Sequence, residues 1–389
     1  MNPVLTTQFA LLVTANVCFF MGHSIFLLLP KFMVTDLKVG EAAIGQAMAI
    51  FGLMALLTLP IVGSLADHYG RRLFMLAGAL VMGITAFMFM YVSQYNTLVL
   101  LLRAFQGLAF PCWFVCSSTM VVDSVEPHLR GSALGIFGIS TLVTHGIAPS
   151  LAEWLAIQRG FDSVFLLSMS FCFIAVFFTL LLQDNHFGLT AKTKPRPIWQ
   201  LLRLNSIIYL VLTATLSGIG FGAVLTYSQP HALAKGLNTV SYFIIAYATS
   251  SILVRLFFSR LTDHPRPRLI VLPSLLIMAS GILLLTWLNS YTLFIISGVL
   301  VGLGHALNYP TMNALLINRV RSSERGKGMS LFVGGFNMGA TLGQVLFGYL
   351  ASFFSLGVVF PCAGLLVAMG AVTFYLATLD SHSGMIEDH

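Results

Sequence analysis

Charge is what this chain has least of. Asp, Glu, Lys and Arg make up 8% of its 389 residues, against roughly a quarter in a soluble domain, so the chain cannot clothe itself for water. Polar stretches are equally scarce. Asp184 to Arg203 is the sole polar run of any length between apolar ones, which leaves no room for a soluble domain. Cysteine is sparse too: Cys18, Cys112, Cys116, Cys172 and Cys362 all lie inside apolar stretches. Cys112 and Cys116 share a helix face, but no His or carboxylate accompanies them as a metal set requires. They read as small packing residues, and no metal or cofactor is expected. Paired acids and an activated nucleophile are missing, which argues against an enzyme. Nothing resembles a selectivity filter, which argues against a channel.

What is present is grease: 57% of residues are hydrophobic, with 32 phenylalanines. Crossing hydrocarbon takes about 20 apolar residues as helix. Twelve such spans are predicted at 6–33, 41–66, 71–93, 96–123, 130–157, 161–183, 204–231, 237–261, 267–289, 290–319, 326–353 and 356–379. The runs are continuous, whereas barrel strands would alternate over about 10 residues, so the expected fold class is an all-α integral membrane protein with the lipid bilayer as its partner.

The net charge of +7 is sorted by loop. Arg71, Arg72, Arg130, Lys192, Lys194, Arg196, Arg203, Arg260, Arg266, Arg268, Arg319, Arg321, Arg325 and Lys327 fall on one side, and Lys31, Lys38, Arg159 and Lys235 on the other. The rich side is expected to be cytoplasmic. Membrane orientation thus accounts for the basicity, and nucleic acid is not an expected partner. An even span count puts both termini in the cytoplasm of a multi-pass protein of the cytoplasmic (inner) membrane.

The halves repeat. Leu65-Ala66-Asp67-His68 recurs as Leu261-Thr262-Asp263-His264, Arg130-Gly131 as Arg325-Gly326, Phe137 as Phe332 and Pro30 as Pro230, in one order and at nearly one spacing. The expected organisation is a six-helix bundle over 1–183, a cytoplasmic linker over 184–203 and a second six-helix bundle over 204–389.

Between the second and third spans stands Gly63-Ser64-Leu65-Ala66-Asp67-His68-Tyr69-Gly70-Arg71-Arg72. Asp67 precedes a helix start, where unsatisfied N–H groups favour an anion, and Gly70 permits a tight reversal. In a twelve-span chain this hairpin resembles the signature of the major facilitator superfamily, with His68 where the family usually has Arg. The resemblance implies two pseudo-symmetric bundles, each of inverted three-helix repeats, around a cavity open alternately to each side. It implies a small-molecule substrate and an inner gate of Gly63, Asp67, Gly70, Arg71, Arg72, Asp123 and Arg130, with Arg71 paired to Asp123. The second-half copy has Asn318 where Asp123 would recur, and Pro265-Arg266 in place of the glycine turn.

A second group lies within the spans. Arg103, Gln106, Phe110, Trp113 and Ser117 share one helical stripe, expected to line the cavity. An arginine in hydrocarbon faces a wet cavity or a partner, or snorkels to the outer surface. The resemblance implies a role for Arg103 in proton coupling or in binding an anionic substrate group. No acid lies near the middle of the first, seventh or tenth span, so the candidates for carrying a proton are Asp36, Glu41 and Glu153 at helix ends and His23, His145 and His305 within spans. Asn16 shares a face with His23, and Asn308 shares one with His305. Asn337 stands where several exporter branches carry a carboxylate. Gly335, Gly339 and Gly343 form a stripe for close helix contact. The fifth span keeps Gly135, Thr144, Ala148-Pro149 and Ala152, a degenerate form of an exporter pattern. The expected function is proton-coupled export of a small amphipathic solute by a monomer. The alternatives are import of a small metabolite and flipping of a lipid or lysolipid.

Overall fold

The computed structural model describes residues 6–183, 201, 204–258, 266–320 and 325–379, without the side chains of Asp67, Pro127, Asn205, Ser206, Arg325, Gly326 and residues 377–379. Nearly all of the polar segment 184–203, the copied Leu261-Thr262-Asp263-His264 and the Asp67 carboxylate therefore lie outside the described residues, as does Pro265 of the copied turn.

Among the described residues the regular structure is all helix, joined by short turns, with no strand. The helices are α1 (Thr7–Ser24), α2 (Leu29–Thr35), α3 (Glu41–Tyr69), α4 (Arg71–Phe89), α5 (Thr97–Asp123), α6 (Arg130–Arg159), α7 (Phe161–Leu180), α8 (Asn205–Ala234), α9 (Ser241–Phe257), α10 (Arg268–Leu284), α11 (Tyr291–Asn318), α12 (Arg325–Phe353) and α13 (Leu356–Leu379). Among the described residues eleven stretches are long and apolar enough to cross a membrane, the first being α1 and α2 together, and α9 is a shorter apolar helix. The fold is thus that of a multi-pass membrane protein with about the expected number of helices.

Local sequence explains the breaks. Pro30 has no N–H to donate, and the chain before it, Ile25–Leu28, is wound as a tighter 3-10 turn. Gly70 alone separates α3 from α4 with φ 93°, and Gly160 alone separates α6 from α7 with φ 80°. Side chains with a Cβ rarely adopt either conformation. The second-to-third helix junction is therefore built the same way in both halves of the segment 1–183.

The chain divides into two compact units, residues 1–190 with 239–248, and residues 191–238 with 249–389. In the first, α1 packs on α6 and α7, α5 on α3 and α4, and α4 on α7. Its core joins Phe9, Leu12, Phe19, Met75, Met82, Trp113 and Phe137. In the second, α8 lies against α12 and α13, and α10 against α11 and α13. Phe137 and Phe332, the repeated pair, are 4% and 0% exposed. Large apolar side chains elsewhere stay uncovered, Leu57 and Ile61 of α3 both at 55%. That surface suits lipid, which is as apolar as leucine and cannot drive helices together. Contact must then come from close fit. Added Cβ atoms on Gly218 and Gly222 of α8 would overlap the carbonyl oxygens of Phe336 and Ala340, and on Gly339 and Gly343 of α12 those of Thr215 and Ile219. The Gly339 and Gly343 stripe is thus one half of a reciprocal seam.

Candidate functional site

The hairpin end of the first unit is closed by three arginines. Arg71, the first residue of α4, pairs through Nη1 with Asp123 Oδ2, the last residue of α5. Arg72 Nη2 donates to the Leu180 carbonyl at the end of α7 at 2.5 Å. Arg130 Nε donates to the Val122 carbonyl in the last turn of α5 at 3.2 Å. Each cation meets a helix C-terminus, where the last carbonyls lack intrahelical donors and the dipole is negative. A pocket of about 250 Å³ opens beside the Arg71–Asp123 pair, lined also by Thr6, Gln8 and Gln183. Gly63 faces open space, so a Cβ there would meet nothing within 4 Å.

Deeper in the same unit a polar group joins α1, α5 and α6. Asn16 Nδ2 donates to Ser140 Oγ and Thr141 Oγ1, both at 3.0 Å, and its Oδ1 accepts from Trp113 Nε1 at 3.2 Å. The Trp113 indole stacks on Phe19 with centroids 4.3 Å apart. Arg103 is 3% exposed. Its Nε donates to the Ala47 carbonyl of α3 at 3.2 Å, Nη1 to Gln106 Oε1 at 2.7 Å, and Nη2 to Met48 Sδ at 3.8 Å. The guanidinium also lies 4.6 Å from the Phe51 ring centroid, a cation–π distance. The α5 stripe is therefore turned into its own unit. Arg103, Gln106, Trp113 and Ser117 are buried, and of the five only Phe110 keeps partial exposure. The reason is chemical: the donors of Arg103, Trp113 and Ser117 find acceptors on α1, α3 or α5 itself.

Partly exposed surface belongs instead to His23, Phe51, Phe110 and His145. The His23 ring sits 4.9 Å from Phe110 and 5.5 Å from Phe51. His145 lies 6.0 Å from Phe20. Its Nδ1 is 2.8 Å from the Thr141 carbonyl, which can only accept, so that nitrogen carries the proton. In the second unit His305 stacks on Phe221 at 4.4 Å and faces Tyr309 and Phe336. Asn308 is buried and donates to Met278 Sδ at 3.5 Å. Asn337 is partly exposed on α12.

Sequence reasoning missed one connection. Lys31 is not a loop residue but part of α2, 7% exposed, with Nζ 2.5 Å from Glu153 Oε1. The same carboxylate accepts from the backbone N–H groups of Val240 and Ser241, both at 2.8 Å. It thus caps the start of α9, where orphan donors and the dipole favour an anion. A buried lysine reserved for a buried acid has no local signature, since the partners lie 122 positions apart. Among the described residues no three His, Cys, Asp or Glu converge as a metal would need.

These features define a class first: a multi-pass helical membrane protein with a basic hairpin latched to helix ends and a few polar groups inside otherwise apolar units, which is the build of a solute carrier. The chain belongs to the Major Facilitator Superfamily, whose model matches residues 11–272 and 236–385. It is similar to the multi-drug resistance efflux pump PmrA of Streptococcus pneumoniae, 32% identical over 206 residues that span 51% of each chain, so this match covers about half the length of that relative. It is also similar to the multidrug resistance protein MdtL of Escherichia coli, 24% identical over 90% of this chain and 88% of that one. A solved structure of a variant of the nucleoside transporter NupG superposes with a TM-score of 0.84 at 15% identity, over 95% of this chain and 100% of that one. At that identity the likeness concerns the fold.

Proposed function

We propose that this protein exports a small amphipathic solute across the cytoplasmic membrane by alternating access, in exchange for protons. It works as a monomer of twelve spans in two six-helix bundles with both termini in the cytoplasm. The observation that carries the reading is the ion pair of Arg71 with Asp123 in a chain whose relatives by sequence are named as multidrug efflux proteins. A cation and an anion drawn from the ends of two neighbouring helices form a latch that can break when those ends separate. With Arg72 and Arg130, Asp67 and the glycines of the hairpin, the pair is the inner gate.

Titratable groups supply the coupling. His145 and His305 lie within their helices and His23 in the last turn of α1, each beside aromatic rings, and an imidazole is a side chain that can carry a proton. A test is flux in proteoliposomes carrying the purified protein. An imposed proton gradient is expected to drive a fluorescent amphipathic probe against its own gradient, and a protonophore to stop it. Flux indifferent to the proton gradient contradicts the coupling. Flux no faster than in empty vesicles, across a panel of such probes, contradicts the export reading.

A further inference from the structure

We infer that the second unit binds the phosphate of an acidic phospholipid at the corner where α10 begins and α11 ends, through Arg268 and Arg319. This goes beyond the export reading and does not depend on it.

The corner is the internal copy of the hairpin latch, with its charges changed. Arg72 follows Asp67 by five residues, and Arg268 follows Asp263 by five. At the spacing that relates Arg130 to Arg325, Asp123 falls on Asn318 and Leu180 on Tyr375. The packing repeats as well: α4 lies against α5 and α7, and α10 against α11 and α13. In the first unit Arg71 pairs with Asp123, and Arg72 donates to the Leu180 carbonyl. In the second, Pro267 stands in place of Arg71, and Arg319 caps α11 next to Asn318. Arg268 and Arg319 are near enough for their like charges to act on each other, which is unfavourable.

The second unit offers little to offset them. Among the described residues it has no Asp or Glu. From 249 to 379 the sequence supplies only Asp263 and Glu324 against eight lysines and arginines. Arg268 Nη2 is shut off from water and has no hydrogen-bond partner. The guanidinium lies instead 5.4 Å from the Tyr375 ring centroid. Orientation in the membrane explains why basic residues gather on this side. It does not explain why two of them are set together, half-buried, at one corner. An anion from outside the protein does, and two guanidinium forks match the oxygens of a phosphate.

The surroundings favour a lipid's phosphate over a free one. Arg268 opens an apolar span, which puts it at the depth of the headgroups, where basic clusters bind acidic lipids. From Tyr375 the uncovered side of α13 runs on through Val372, Met369 and Leu365, which are 60%, 50% and 61% exposed. That stripe is a surface for acyl chains.

The test is binding by the purified full-length protein of phosphatidylglycerol, phosphatidylcholine and inorganic phosphate at matched ionic strength, read by native mass spectrometry and by thermal unfolding. Phosphatidylglycerol is expected to bind about tenfold tighter than phosphatidylcholine and to raise the unfolding temperature, which inorganic phosphate leaves unchanged. Arg268→Gln should erase the preference. Arg319→Asp, which supplies the missing carboxylate, should erase it too and raise the unfolding temperature of the lipid-free protein. Lys235→Gln, in a loop of the other side, should leave the preference intact. Equal binding of the two lipids overturns the inference, as does a preference that survives both Arg268→Gln and Arg319→Asp. Inorganic phosphate stabilising as well as phosphatidylglycerol overturns the lipid assignment. Should the variants fail to fold, a photoactivatable phosphatidylglycerol decides: attachment on α10 or α13 is expected, and attachment only elsewhere overturns the site.

Discussion

The two units solve the same packing problem by different chemistry. In the second, α8 and α12 meet backbone to backbone through Gly218, Gly222, Gly339 and Gly343, and the Tyr227 hydroxyl donates to the Gln344 carbonyl across the seam. In the first, the corresponding helices α1 and α6 carry no such glycines at their contact. Gly131 and Gly135 of α6 face open space, and side chains bridge the gap, Asn16 to Ser140 and Thr141 and Ser24 to His145. A glycine seam is close and leaves nothing to titrate. A polar seam is wider and puts hydroxyls, an amide and an imidazole where a solute or proton can meet them. The hairpins differ in the same sense: Arg71 meets Asp123 in one half, and Asn318 stands at the matching place in the other. On this comparison the second unit's seam is the more closely packed, and the first unit's seam is the one bridged by polar side chains.

Substitutions that break the comparison rank by how little room the site has. Gly339→Leu should be the most damaging, because its neighbour is a backbone carbonyl that no rotamer change can move. A loss of about 3 kcal/mol or more is expected, seen as poor recovery of folded protein and a lowered unfolding temperature. Asn16→Ala comes next. It strands the Trp113 N–H and removes two bridges to α6, at about 1–2 kcal/mol by thermal unfolding. Asp123→Asn should hardly change stability, within about 0.5 kcal/mol, since Asp123 is 41% exposed and water screens the pair. Its effect should appear as slowed transport, and an unchanged rate would remove the pair from the gate. Gly135→Ala should be the mildest, neutral or slightly stabilising, because nothing lies within 4 Å of the new methyl and alanine favours helix. If it proved as harmful as Gly339→Leu, the contrast between the seams would fail.

The helices were largely legible in the sequence because a span of hydrocarbon demands a long apolar run. The third was expected over 71–93 and found at Arg71–Phe89, and the eighth over 237–261 and found at Ser241–Phe257. The 3-10 turn at Ile25–Leu28 was not foreseen, since Pro30 breaks the backbone pattern without changing hydropathy. Within the site, the pairing of Arg71 with Asp123 came from the resemblance of the hairpin. The facing of α5 did not come out as expected. Helical spacing fixes that Arg103, Gln106, Trp113 and Ser117 share a face, but not whether that face meets a cavity or the neighbouring helices. Lys31 with Glu153 was invisible for a related reason: a lysine near a span end reads as a topology signal until its partner is seen. The glycines of α12 announced a close contact, while their partners Gly218 and Gly222 lie among other small residues and did not.

The most direct measurement is labelling of the partly exposed positions Phe110 and His145 of the first unit from each side of the membrane. A single cysteine at Phe110 or His145, in a background with the five native cysteines replaced, would be offered to an impermeant maleimide in right-side-out and in inverted vesicles. Alternating access predicts that both preparations label the site and that bound solute changes the balance between them. Labelling from one side only, unmoved by solute, would contradict it.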